Sequence, residues 1–81
     1  MGLIAFQQKQ FDKAIDHFHT AIRINPNLAD AHFNLALALH RLNRNAEALP
    51  EIERALEMNP HDETGQQLKV KIQRTLGMGT L

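Results

Sequence analysis

Five histidines, nine carboxylate side chains and nine Lys or Arg residues are the groups able to do chemistry in these 81 residues. A metal site is the first chemistry to test. His17 and His19 are two positions apart, so on a helix they diverge by about 200° and cannot grip one ion as an i, i+4 pair does. Asp16 and His19 share a face, but two ligands do not close a site. His32, His40 and His61 have no ligand-spaced histidine beside them, and the chain has no cysteine. Acid–base chemistry fares no better. Asp12–Asp16 and Glu47–Glu51 are i, i+4 acidic pairs near expected helix N-termini, where they favour the helix dipole without any catalytic role. There is no serine, no glycine-rich phosphate loop, no H-E-x-x-H and no nucleophile elbow. The basic run "KVKIQR" at 69–74 has no aromatic residue interleaved, and the formal net charge is zero. It reads as a solvated helix face and not as a nucleic-acid footprint. The expectation is no catalytic residue, no cofactor, no metal and no nucleic-acid partner.

The side chains must be positioned by a small number of elements. The length allows one small domain. No apolar run approaches the ~20 residues of a membrane span. The start, "MGLIAFQQKQ", lacks the basic end, long apolar core and small-residue cleavage site of a signal peptide. Phe6 occupies the place where a myristoylation motif wants Ser or Thr. A chain of aliphatics, Ala and charge, with four Phe and no Tyr or Trp, reads as a helical protein of the cytoplasm without membrane insertion.

The strongest internal signal is a repeat. Asn25-Pro26 returns as Asn59-Pro60, 34 residues later. At the same offset Ala14 meets Ala48, Ala21 meets Ala55 and Leu3 meets Leu37. Ile15 meets Leu49, Phe18 meets Ile52, Ile22 meets Leu56, Ile24 meets Met58 and Gly2 meets Ala36. Small residues at fixed helical spacing let two backbones approach, and the bulky neighbours fill the space between layers. Each Asn-Pro ends a unit, because proline disfavours helical geometry at the residue before it. Asn27 and Asp62 are then the expected N-caps of the next helices. Helices are expected at about Gly2–Lys9, Asp12–Ile24, Ala29–Leu42, Ala46–Met58 and Glu63–Leu76, with Asn45 as the cap of the fourth and a kink at Pro50.

A 34-residue period with two helices per unit resembles the tetratricopeptide pattern, W-x2-L-G-x2-Y…A-x3-F…P. In the second unit His32, Leu35, Ala36 and Leu39 stand in its first part, and Ala48, Ile52 and Pro60 complete it, with Ala55 in a further small slot. In the first unit Met1, Gly2 and Ala5 begin mid-pattern, and Ala14, Phe18, Ala21 and Pro26 finish it. The departures are His32 for Trp, and Ala5 and Leu39 for Tyr. The resemblance implies an all-α fold of antiparallel helix-turn-helix repeats, a fragment of a right-handed superhelix with about five helices. Residues 1–76 would form one domain: a first unit over about 1–26 that opens partway into its A helix, a second over 27–60, and a capping helix over 61–76. In that capping helix Gly65, Ile72 and Leu76 fall at core positions, while Lys69 and Gln73 replace apolar residues, as an outer cover requires. Residues 77–81 would be a flexible tail.

At 100° per residue, Ala31, Leu35, Ala38, Leu39 and Leu42 share one face of the second unit's A helix. Phe33, Leu37 and His40 lie nearly opposite, with Asn34 and Arg41 to one side. In tetratricopeptide proteins the A helices line a concave groove, and these are its slots. The register adds Leu3, Phe6 and Gln7 from the first A helix, and Thr64, Gln67, Leu68, Lys71 and Arg74 from the capping helix. The function implied is binding of a peptide or protein segment, without enzymatic activity. The family's two-carboxylate clamp for chaperone tails is a poor fit: Asn34 matches, but Leu3, Thr64 and Leu68 replace its Asn, Lys and Arg. The alternative is self-assembly, with the edge carrying Leu3, Ile4 and Phe6 meeting another copy.

Overall fold

The computed structural model describes the backbone of residues 2–77 and the side chains of residues 10–77. Four helices follow one another: α1 over Gly2–Ile24, α2 over Ala29–Arg41, α3 over Asn45–Met58 and α4 over Glu63–Thr75. Consecutive helices pack on one another, and α4 also touches α2.

Two turns built to one plan separate the repeats. The Asn25 N–H donates to the Ala21 carbonyl, and the Asn59 N–H to that of Ala55. The Leu28 N–H then reaches back to the Asn25 carbonyl, and the Asp62 N–H to that of Asn59. A side chain clamps each turn from the next helix. His32 Nε2–H donates to the Pro26 carbonyl at 3.0 Å. Gln66 Nε2–H, 34 residues on, donates to the Pro60 carbonyl at 2.7 Å. The expected caps differ in detail. Leu28 holds the cap position of α2, and Asn27 instead donates its N–H to Asn25 Oδ1. Asp62 caps α4 by position, without a side-chain cap bond. Arg44 precedes α3, so Asn45 is its first residue, and α3 continues through Pro50.

The core runs between α1, α2, α3 and α4. Leu35, Ile52 and Ile72 are its largest fully buried side chains. Ala36 and Ala48 are both completely buried, as the small-residue pattern requires where α2 and α3 approach. Ala55 is buried, whereas its counterpart Ala21 is half-buried. The same asymmetry separates Ile52 from Phe18, which is half-buried.

The number of helices is four and not five. The expected break after Lys9 is absent, and α1 runs unbroken for 23 residues. The reason lies at the equivalent positions of the other units. Asn43 ends α2 in the left-handed region at φ 62°, and Gly77 follows α4 at φ 80°. Both donate the same backbone bond, Asn43 to His40 and Gly77 to Arg74. Asn and Gly tolerate that conformation; Lys is penalised by its Cβ. The α2–α3 turn is also held by side chains. His40 Nδ1–H donates to Asn45 Oδ1, and Asn45 Nδ2–H donates to Asn43 Oδ1. One unit earlier these three positions are Phe6, Lys9 and Phe11, which offer none of those bonds. Nothing in that stretch stops the helix.

Candidate functional site

Phe11, Ala14 and Phe18 of α1 face Asn34, Leu37, Ala38 and Arg41 of α2 across an open slot of about 380 Å³. All but Asn34 and Arg41 are apolar. The three α1 residues are the counterparts of Asn45, Ala48 and Ile52, which are buried. The slot therefore sits where the second unit has a helix packed and where, among the described residues, the first has none.

The slot gathers Asn34, Leu37 and Arg41 from the residues expected on the groove. Phe33 is half-buried and packs, like Leu37, against the core. His40 is committed to Asn45 at 2.6 Å and secures the α2–α3 turn. Lys71 and Arg74 are exposed and lie apart from the slot, lining a second depression with Glu63, Gln66, Gln67 and Val70 of α4. Thr64 is exposed. Leu68 is part of the core, on the buried face of α4 with Gly65 and Ile72. Leu3, Phe6 and Gln7 lie outside the residues whose side chains are described.

Two features escaped the residue-by-residue reading. Phe11 and Phe18 join the surface from α1, although only A-helix residues were expected there. His32 is buried, with Nδ1 2.8 Å from Glu51 Oε1 in addition to its bond to Pro26. The His32–Glu51 contact ties α2 to α3. Among the described residues no group of three or more His, Cys, Asp or Glu is placed to hold a metal ion. No described helix is long and apolar enough to cross a membrane.

Comparison with known proteins gives the class. Residues 2–43 match a family model described as TPR repeat, and residues 29–62 match a second, described as Tetratricopeptide repeat. The chain belongs to the tetratricopeptide repeat family. It is 38% identical over 60 residues to a peroxisomal targeting signal receptor of Saccharomyces cerevisiae, covering 74% of this chain and 10% of that protein. It is 36% identical over 55 residues to the photosystem I assembly protein Ycf3 of Acaryochloris marina, covering 68% of this chain and 33% of the relative. An Hsp70-Hsp90 organizing protein of Triticum aestivum is 34% identical over 55 residues, 68% of this chain and 10% of the relative. The chain thus spans a third or less of these relatives. At the level of the family, the repeat is a non-catalytic protein-interaction module.

Proposed function

We propose that the chain binds an apolar, helix-forming protein segment on the groove side of α2, seated in the slot between α1 and α2. The supporting observation is the slot itself: Phe11, Ala14, Phe18, Leu37 and Ala38 are brought together on an open surface, with Asn34 and Arg41 as its polar members. An apolar face of this kind favours burial of a matching helix stripe, and Asn34 supplies an amide for hydrogen bonding. Lys71 and Arg74 extend the proposed groove along α4 and favour a segment with acidic residues beyond its apolar part. Residues 1–76 act as one unit in this proposal.

The test is selection of helical peptides from a displayed library on the wild-type chain, with counter-screening on Leu37→Glu. Peptides that bind the wild type and lose at least tenfold in affinity on the variant support the reading. Selected peptides that bind both equally well place the binding surface elsewhere.

A further inference from the structure

The slot has a specific occupant in the chain's own sequence. We infer that residues 2–8 of a second copy fill it, so that two chains exchange the N-terminal halves of α1 in a symmetric dimer. This rests on the reading of the slot as a seat for an apolar helix, and it names the helix.

The α2–α3 hairpin supplies the template. There α2 packs on α3, whose Asn45, Ala48 and Ile52 are buried, and Ala36 of α2 is fully enclosed as well. Moved back by one 34-residue unit, α3 becomes the α1 stretch carrying Phe11, Ala14 and Phe18, and α2 becomes residues up to Gln7. Gly2, Leu3, Ile4 and Ala5 then take the places of Ala36, Leu37, Ala38 and Leu39. The small pair Ala36–Ala48 is matched by Gly2–Ala14. The family match over residues 2–43 includes this stretch, so residues 2–8 carry the repeat's A-helix pattern.

The pattern and the path of the chain disagree. To reach its own slot, residues 2–8 must turn back at Lys9. The positions equivalent to Lys9 are Asn43 and Gly77, both with positive φ, and the chain turns there. At Lys9 it does not: α1 runs unbroken from Gly2 to Ile24. At 1.5 Å per residue, the segment before Lys9 projects about 10 Å beyond the slot. An unbroken helix that replaces a hairpin turn is the geometry of a swapped element.

The symmetry closes. A and B helices of one unit are antiparallel, so residues 2–8 of one copy run antiparallel to residues 11–18 of the other. Two unbroken α1 helices satisfy this at once, about a two-fold axis passing near Lys9 of each. Each slot is then filled by its partner, as an isologous interface requires.

Light scattering on the 81-residue chain, followed by sedimentation across a concentration series, tests the inference. The wild type is expected at twice the chain mass. Lys9→Gly supplies the missing turn and is expected to give a folded monomer; Lys9→Asn, copying Asn43, repeats the test should the glycine weaken the helix. Leu37→Glu blocks the slot and Ile4→Glu spoils the exchanged segment. Each alone is expected as a monomer, and an equimolar mixture should recover a heterodimer joined through its one intact slot. A wild type that stays monomeric overturns the exchange, as does a dimer untouched by Lys9→Gly and Leu37→Glu. A synthetic peptide of residues 29–41, the chain's own complete A helix, separates the two readings. If the monomeric wild type binds it in a Leu37-dependent way, the slot reading stands and only the exchange falls. If it binds no such peptide, both fall.

Discussion

Replacing Ala55 with Leu tests the packing on which the slot depends. Ala55 is 5% exposed and sits in the core. The space at this position is already closed, so three added carbons force neighbouring side chains off their rotamers or push the helices apart. Overpacking of this kind costs about 1–3 kcal/mol. At ~0.05–0.15 kcal/mol per residue, the whole chain has about 4–12 kcal/mol of stability. The substitution thus removes a substantial fraction. For a domain of this size each kcal/mol moves the melting temperature by about 4–8 °C, so a fall of roughly 5–20 °C is expected. Ala46→Leu is the control. Ala46 is exposed on the same helix, and Leu is almost as good a helix former as Ala. Its melting temperature should stay within about 2 °C of wild type, since surface changes are usually within ±0.5 kcal/mol. Both are read by circular dichroism melts at equal concentration. Equal melting of Ala55→Leu and wild type would refute the assigned packing and the repeat register with it.

Asn43→Val should destabilise by about 1–2 kcal/mol in urea titrations, because a β-branched side chain resists the left-handed conformation that ends α2. Asn43→Gly should cost about 1 kcal/mol or less, since it keeps the turn and loses only the acceptor for Asn45 Nδ2. His32→Gln should be milder than His32→Ala, because glutamine can donate to the Pro26 carbonyl as Gln66 does to Pro60. Coupling between His32 and Glu51, measured by a double-mutant cycle, should be about 1–2 kcal/mol, and a value of zero would remove that contact from the account. The Phe33→Ala, Leu37→Ala double change should cost less stability than Ile52→Ala, for which about 2–5 kcal/mol is expected, yet abolish binding of peptides selected on the wild type. The reverse pattern would move these two residues into the core.

Much of this was legible in the residues. The 34-residue offset locates α2, α3 and α4 to within a residue or two at each end, because small and bulky apolar residues must recur wherever helices pack at a fixed spacing. The length of α1 departs from the repeat pattern, which expects a break after Lys9. Its signal was present in the negative: Phe6, Lys9 and Phe11 replace the three residues that build the α2–α3 turn, and a search for matches passes over a position whose significance is a mismatch. The 34-residue register puts Leu68 opposite Asn34, yet in α4 Leu68 is buried with Gly65 and Ile72, while Lys69 and Gln73 stand where the register expects apolar residues. Lys69 instead reaches Glu53 of α3 at 3.8 Å. Phe11 and Phe18 were invisible as surface residues for a related reason. Their counterparts Asn45 and Ile52 are buried, and only the course of α1 decides that they are not. His32 and Gln66 share a role, clamping the proline turn, without sharing chemistry that residue comparison would pair.

If the slot between α1 and α2 seats an apolar helix, its floor is shielded when the helix is present. The chain has no cysteine, so a single thiol can be placed in the slot and its labelling rate read without background. Ala14→Cys puts that thiol on the slot's floor with little change in volume, and Ala46→Cys puts one on the exposed start of α3. Labelling at position 14 is expected to slow as protein concentration rises, or as the residue 29–41 peptide is added, while labelling at position 46 does not change. Rates at position 14 that respond to neither, with both variants folded, would contradict the seating of a helix in the slot.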